Sequence, residues 1–234
     1  MCTRYTLQLA EAALAAIAKA LARKLVLAEA AKSRYNITLT QVVPAVVERA
    51  AGPEVIQMMW GLVPFYERGK ARKRMLPNAK SETAASGTTF KESVAKRRCL
   101  VPANGFYEWL EVGKVKYPHL FTLRNEEPFA FAGIWETGVD DTLPPCFAIL
   151  TTEPNGLVAP IHNRMPVILT HETMARWIGS EPLPEPEYRE LTRPLAAEKM
   201  QERPVNRFVS NARNEGPKCI APPDPEPVEP DLFG

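Results

Sequence analysis

The sequence predicts a single α+β domain, built on a curved, mostly antiparallel and barrel-like β-sheet with flanking helices. Three observations favour this class. The length of 234 residues fits one domain, the hydrophobic share of 45% is enough for a core, and 23 prolines favour strands and loops over a helical bundle. We expect the domain to span residues 2–220. Residues 221–234 hold five prolines, four acids and no base, which predicts a disordered tail.

The first half of the chain combines strands with a long helix. An Ala- and Leu-rich run after the first strand is typical of a helix. Gly52–Pro53 interrupts a β-branched run and predicts a turn between two strands. Asn78 is a candidate N-cap for a second helix. The elements predicted here are a strand at 3–7, a helix at 8–31, two strands within 42–64 and a helix start at 78–86.

The second half is richer in strands. Residues 98–138 are dense in aromatic and β-branched side chains and predict an antiparallel meander, with turns at Gly113 and Asn125. Trp60 and Trp109 are assigned to the core. The remaining predicted elements are strands at 146–152 and 165–170, a short helix at 171–179, a loop at 181–187 and a strand with a loop at 204–216.

The cysteines and histidines argue against a metal site. No two cysteines have metal-binding spacing, and no histidine is near one of them in sequence. We therefore expect no metal and no cofactor. The sequence shows no signal peptide and no run of membrane-spanning length, so we expect a cytoplasmic monomer with reduced thiols and no membrane partner. The cysteines are Cys2, Cys99, Cys146 and Cys219, and the histidines are His119, His162 and His171.

Positive charge is concentrated in one segment. Residues 66–98 contain ten Lys or Arg and three acids, a net charge of +7, while the rest of the chain carries −5. Such a segment is often only a solvated face. On an otherwise acidic protein it also indicates an anionic partner such as nucleic acid.

The second residue of the chain is Cys2. If Met1 is removed, Cys2 carries a free α-amine and a free thiol, with ordinary pKa values of about 7.7–8.0 and about 8.5. The amine can form an imine with an aldehyde, and the thiolate can then close a thiazolidine ring. One macromolecular aldehyde is the open sugar of an abasic nucleotide. An amide or ester electrophile would instead indicate a cysteine peptidase, and a cysteine at this position can also be incidental.

Seven motifs occur in a fixed order along the chain. Together the motifs resemble the SRAP family, the SOS-response-associated peptidases or abasic-site-processing proteins, over residues 2 to about 220. Each motif alone is weak, whereas the ordered set beginning with Cys2 is specific. The motifs are MCTRY (1–5), RYN (34–36), WGLVP (60–64), NAKSET (78–83), GFYEW (105–109), IHNRMPVIL (161–169) and PVNRFVSNARNEG (204–216).

The resemblance implies an activity and a set of residues. Family members capture abasic sites in single-stranded DNA through a thiazolidine crosslink to the N-terminal cysteine. They also remove the preceding residue autocatalytically, a thiol autopeptidase activity of hydrolase or lyase type. The resemblance further implies association with the nucleoid when DNA is bound. It implies the catalytic residues Cys2, Asn78, Glu108 and His162, and the DNA-binding residues Arg4, Arg34, Asn36, Phe65, Tyr66, Lys80, Arg164 and Arg207.

Each catalytic candidate has a chemical role. Glu108 lies in an apolar aromatic run, where a carboxylate is costly unless it is paired or functional, and it can act as general base and acid. His162 can protonate the sugar oxygen during ring opening. Asn78 can orient the amine or the sugar oxygen.

Two positions depart from the family pattern. Thr3 stands where glycine is common, and Lys80 replaces an arginine and so loses bidentate phosphate geometry. Two other functions stay open at this point. They are a cysteine peptidase acting in trans and a non-catalytic single-stranded DNA-binding module.

Overall fold

Two β-sheets form the framework. The computed structural model describes residues 3–27, 32–67, 70, 74–138, 143–179 and 181–225. Within these ranges the strands are β1 (Arg4–Leu7), β2 (Val26–Leu27), β3 (Arg34–Thr38), β4 (Val42–Arg49), β5 (Gly52–Trp60), β6 (Asn78–Lys80), β7 (Arg98–Ala103), β8 (Gly105–Val112), β9 (Val115–Leu123), β10 (Phe129–Glu136), β11 (Cys146–Thr152), β12 (Met165–Pro166), β13 (Ile168–Leu169) and β14 (Met200–Pro204). The helices are α1 (Ala10–Ala20), α2 (Ser81–Ala84), α3 (Lys91–Lys96), α4 (His171–Trp177) and α5 (Glu185–Leu191).

The first sheet is antiparallel, with the strand order β14-β9-β8-β1-β3. The second sheet has the order β12-β11-β10-β7-β4-β5-β2, with β13 against β10 and β6 against β11. β11 also pairs in parallel with β5, through Cys146–Met59 and Phe147–Trp60. These two strands stand near opposite ends of the strand order, so their pairing closes part of the sheet on itself. The second sheet is therefore partly ring-like rather than a strict barrel, and the predicted α+β class is confirmed.

The alternation of side chains in β10 shows why this strand is buried on both faces. Phe129 and Phe131 face the core between the two sheets, whereas Ala130 and Ala132 face the core under the helices. Bulky side chains fill the inter-sheet space, and small ones let the helices approach. Gly133 pairs with Cys99, and a Cβ at this glycine would lie 2.6 Å from the cysteine sulfur, so this close approach requires glycine.

A third cluster covers the outer face of the first sheet. Tyr107 and Leu120 meet Val209 and Cys219, which come from the 3-10 segments near the end of the described chain. Segments near the end of the described chain thus cover the sheet that contains β1, and β8 lies in the middle of this sheet with one face on each cluster.

Several predicted boundaries were wrong. The helix predicted at 8–31 ends at Ala20, because Ala22 takes a positive φ of 50° and Val26–Leu27 then pairs with β5. Residues 28–31 lie outside the described residues. The first hairpin turns at residues 50–51, since Arg49 already pairs with Gly52. Asn78 is not an N-cap, because it lies in β6 and the helix begins at Ser81.

The predicted meander is split between the two sheets. The turn at Gly113 joins β8 and β9 as predicted. After the turn at Asn125, however, β10 does not pair with β9 and instead pairs with β7 in the other sheet. The loop predicted at 181–187 is also interrupted, because α5 begins at Glu185.

The start of the predicted tail contacts the domain. The backbone N–H of Asn206 donates to the carbonyl of Ala221 at 2.8 Å, and its side-chain amide donates to a carboxylate oxygen of Asp224 at 2.9 Å. Residues 226–234 lie outside the described residues. In the described part of the chain no helix combines the length and apolar character needed to cross a membrane.

Candidate active site and nucleic-acid interface

Glu108 is a buried carboxylate at the end of the inter-sheet core. It follows Phe106 by two residues on β8, so it points to the same face as that core residue. It is 4% exposed, and among the described residues its Oε1 atom receives no hydrogen bond. Burial raises the pKa of Glu108 to about 7. A carboxyl group with this pKa can accept and return protons at neutral pH.

His162 stands next to Glu108. Its Nδ1 atom is 3.9 Å from Oε1 of Glu108, and the backbone N–H of Arg164 donates to Nδ1 at 3.0 Å. Its Nδ1 atom also lies 2.9 Å from the carbonyl oxygen of Arg164, so the backbone of Arg164 fixes the orientation of the ring. Burial lowers the pKa of His162. Near neutral pH the ring is therefore mainly neutral, and Glu108 is the group of this pair that titrates there.

Arg164 connects the histidine loop to the second sheet. Its guanidinium makes two bonds to Glu82, at 2.7 and 2.9 Å, and donates to the carbonyl of Thr151 at 2.6 Å. The hydrogen bonds from Arg164 hold the pKa of Glu82 below its usual range. Thr151 is opposite Lys80 in the β11–β6 pairing, and Ile149 is opposite Asn78. The motifs around residues 80 and 162 are thereby held together.

Cys2 lies outside the described residues. The chain next to it is described from Thr3, and β1 pairs with β8 through Tyr5 and Phe106. β1, the first described strand, therefore lies beside the strand that carries Glu108.

The three other cysteines are poor nucleophiles. Cys99, Cys146 and Cys219 are free but buried, and burial raises the pKa of each thiol, that of Cys219 to about 11. A buried thiol with a raised pKa is almost entirely protonated at neutral pH. Within the described residues there is thus no competing reactive thiol.

Arg4 and Asn36 form a structural tie between distant segments. Arg4 donates to Oδ1 of Asn36 at 2.9 Å and to the carbonyl of Val209 at 2.7 Å. The amide of buried Asn36 donates to the carbonyls of Val209, Asn211 and Asn214, at 2.8 to 3.2 Å. Asn36 orders this loop, and that its side chain also contacts DNA stays a prediction.

Arg34 is similarly engaged. It contacts Glu215 at 3.1 Å and Gln41 at 2.7 Å. Lys80 and Arg207 are exposed, so their side chains are accessible to a phosphate. Phosphate contacts from these three residues remain predictions.

Phe65 and Tyr66 form an exposed aromatic pair. They are 61% and 42% exposed, and their rings meet edge to face with centroids 5.5 Å apart. Residues of a protein core are not exposed to this degree. Two neighbouring exposed rings instead suit stacking on unpaired bases. Core packing, the alternative explanation for Phe65, is excluded by its exposure.

Part of the basic segment is structural. Arg98 is buried and donates to the carbonyls of Trp177, Val94, Ala95 and Glu181. Arg97 forms an ion pair with Glu136 at 2.7 Å. These two arginines hold the fold rather than forming an anion-binding surface. Three other cations of the segment lie outside the described residues, and they are Arg68, Arg72 and Lys73.

The core assignment holds for fully buried Trp60 and only in part for Trp109, which packs against the third cluster from its edge. Trp109 is only partly buried, and its indole N–H donates to Ser210 at 3.0 Å.

Trp109 lines a depression of about 700 Å³ that we call the basic groove. None of the groove residues is acidic, and they are Thr3, Arg4, Trp109, Lys114, Val115, Lys116, Arg207 and Ser210.

A family model described as SOS response associated peptidase (SRAP) matches residues 1–212 of this sequence. The chain belongs to the SRAP family. This confirms the resemblance inferred from the motifs, and the match extends over all the candidate catalytic and DNA-binding residues.

Relatives of this SRAP chain support the same assignment. The abasic site processing protein YoqW of Bacillus subtilis is 32% identical over 191 residues, which are 80% of this chain and 84% of that protein. The abasic site processing protein HMCES of Gallus gallus is 31% identical, over 72% of this chain and 57% of that protein. A crystal structure from Bacteroides thetaiotaomicron matches with a TM-score of 0.79 and 26% identity, over 94% of this chain and 99% of that one.

The SRAP motifs meet in two places. Glu108, His162 and Arg164 lie together at the end of the inter-sheet core, where Thr151 links them to the strand of Asn78 and Lys80. Arg4, Asn36 and the loop around Val209 form the second cluster, beside the basic groove. Sequence reasoning missed Glu82, because the pairing of a carboxylate with an arginine 82 residues away leaves no local signal. It also missed Trp109, which strand alternation with Glu108 places on the opposite face.

Proposed function

We propose that this protein captures abasic sites in single-stranded DNA through a thiazolidine crosslink to Cys2, exposed by removal of Met1. The relatives named abasic site processing proteins support the substrate. One observation carries the chemistry. The carboxyl of Glu108 is buried, has a raised pKa and lies beside His162. Glu108 itself is on β8, the strand that pairs with β1.

The reaction is balanced by the loss of one water. The α-amine of Cys2 attacks the aldehyde carbon of the open sugar and forms a carbinolamine, which loses water to give the imine. The thiolate then adds to the imine carbon, and the nitrogen takes up a proton. Glu108 in its ionised form accepts a proton from the amine or thiol, and in its neutral form it returns one to the departing hydroxyl. The imidazole of His162 donates a hydrogen bond to the sugar oxygen, and Asn78 orients the reacting groups.

Removal of Met1 uses the same groups. The thiolate of Cys2 attacks the carbonyl of Met1, and Glu108 delivers a proton to the α-amine that leaves. Water then hydrolyses the thioester. The proximity of the thiol to its own preceding peptide bond replaces a binding cleft for a separate protein substrate.

The deciding experiment is intact mass spectrometry after incubation with an abasic single-stranded oligonucleotide. The unmodified protein should lack Met1 and gain the mass of the oligonucleotide less one water. Cys2→Ala should form no adduct, and Glu108→Ala should keep its DNA affinity but form the adduct at least about tenfold more slowly. A wild-type protein that binds the oligonucleotide without forming an adduct would instead be a non-catalytic binding module.

A further inference from the structure

The acidic end of the chain is charge-matched to the basic groove. Residues 226–234 contain Glu226, Glu229 and Asp231, two prolines and no base. The groove presents Arg4, Lys114, Lys116 and Arg207 with no acid among its lining residues. We propose that residues 226–234 occupy the basic groove and compete there with single-stranded DNA. This inference rests on the proposed function, in which DNA is the other occupant.

The last described residues contact Asn206, which precedes a residue of the groove lining. Asp224 accepts a hydrogen bond from the side-chain amide of Asn206 at 2.9 Å, and the carbonyl of Pro222 accepts a second one at 3.3 Å. Asn206 immediately precedes Arg207, whose side chain lines the groove, and adjacent Cα atoms are about 3.8 Å apart. The last described residues are therefore bonded to the sequence neighbour of a groove residue, and residues 226–234 follow directly after them.

Length and composition allow the tail to span the groove. Nine residues in a polyproline II conformation extend about 28 Å, at roughly 3.1 Å per residue. Pro227 and Pro230 favour this extended form, which lowers the entropy lost on docking. With three residues per turn, Glu226 and Glu229 lie on one side of such a helix, about 9 Å apart. These carboxylates would present a row of negative charges to Lys114 and Lys116, as the phosphates of single-stranded DNA would.

The basic groove presents one fixed guanidinium and two exposed ammonium groups to an anion. Arg4 is held in place by Asn36 and Val209, and its guanidinium lies 5.4 Å from the ring centre of Trp109. Lys114 and Lys116 are exposed on the β8–β9 hairpin, and Lys116 lies 3.7 Å from the carboxylate of exposed Glu111. Exposed pairs of this kind contribute little, so both ammonium groups are available to the tail.

The effect on DNA binding follows from tethering. A tail on the same chain has an effective concentration in the millimolar range, so even a weak intrinsic affinity produces competition. Removing residues 226–234, or the triple change Glu226→Gln/Glu229→Gln/Asp231→Asn, should tighten the binding of undamaged single-stranded DNA about 3- to 10-fold at low salt. The gain should fall below about twofold at about 0.5 M salt, because the competing contacts are ionic.

The test compares these two variants with the full chain by fluorescence anisotropy, in a Cys2→Ala background that prevents crosslinking. The shortened chain keeps every described element. The matched control, Glu11→Gln/Glu127→Gln/Glu172→Gln, removes three exposed acids that do not line the groove. It should change the affinity less than about twofold. Equal affinities for tail variant and full chain, or an equal gain in the control, would overturn the inference.

A second measurement separates this inference from the proposed function. A fluorescent peptide of residues 222–234 is titrated with the shortened protein and with its Lys114→Glu/Lys116→Glu variant. We expect salt-sensitive binding that the charge reversal weakens at least about fivefold. If no form of the protein binds DNA, the proposed function fails while peptide binding still supports the groove assignment. A peptide that does not bind, or binds both proteins equally, refutes the tail inference whatever the DNA result.

Discussion

Glu108→Gln should stabilise the protein at high pH and not at low pH. The carboxyl of Glu108 is 4% exposed, and burial raises its pKa from the ordinary value of 4.5 to about 7. Ionising this group is therefore harder in the folded protein than in the unfolded chain. Glutamine keeps the shape of the side chain and removes the charge, so the substitution removes the cost of ionisation.

The direction of the pH dependence follows from proton binding. Between about pH 4.5 and 7 the folded protein retains a proton on Glu108 that the unfolded chain has released, so wild-type stability falls as pH rises. Below this range Glu108 is protonated in both states, so it does not reduce the stability of the folded protein. Above this range the folded protein bears the full cost of ionising the buried carboxyl. A pKa difference from 4.5 to about 7 corresponds to a cost of roughly 3 kcal/mol, at about 1.36 kcal/mol for each pKa unit.

The assay is urea unfolding at about pH 5 and about pH 8.5 and at constant ionic strength. The stability of Glu108→Gln relative to wild type should rise by about 2–3 kcal/mol between the two pH values. Any packing cost of the amide is the same at both pH values and cancels in this difference. Glu111→Gln is the control, because Glu111 lies on the same strand but is exposed. Its effect should stay within about 0.5 kcal/mol at both pH values.

His162 is the titratable neighbour that could mimic this result, since it lies 3.9 Å from Glu108. The comparison is therefore repeated in a His162→Gln background, where the pH-dependent gain should persist. A gain below about 0.5 kcal/mol in the wild-type background would show that Glu108 ionises as easily in the folded protein as in the unfolded chain. The acid–base role proposed for it would then lose its physical basis.

Three further predictions concern the surroundings of the site. Phe65→Ala should change the free energy of unfolding by less than about 0.5 kcal/mol but weaken single-stranded DNA binding by about 1–3 kcal/mol, measured by urea unfolding and anisotropy. Arg98→Met should cost about 3 kcal/mol or more in urea unfolding, because four carbonyls lose their donor, two of them in buried hydrogen bonds, and Lys96→Met on the exposed end of α3 should cost little. Asn36→Ala should speed amide hydrogen exchange in residues 207–214, because three carbonyls lose their bonds to its amide.

Local sequence patterns predicted the strands well and their partners poorly. The apolar runs around β4, β5 and β11 and the turn at Gly113 all follow from side-chain periodicity and turn chemistry. The end of α1 does not, because Ala- and Leu-rich sequence continues to favour a helix past Ala20. The pairing of Val26–Leu27 with β5 overrides that preference, and it depends on residues about 30 positions away.

The candidate site was predictable to a similar degree. A carboxylate between Tyr107 and Trp109 indicated that Glu108 is unusual, and the structure buries it. The sequence could not show that its pKa exceeds that of an ordinary glutamate while burial lowers that of His162, since both shifts depend on packing. Burial thereby brings the pKa of the carboxyl group close to 7, which supports the acid–base role proposed for Glu108.

The two ends of the chain explain why the motifs must occur together. Arg4 reaches Val209, 205 positions away, and Asn36 binds three carbonyls of the same loop. β1 begins at Arg4 and pairs with the strand that carries Glu108. Arg4 anchors that strand to the loop around Val209, near the other end of the domain. The proposed site therefore depends on residues from both ends of the domain, which is why the motifs are needed as a set.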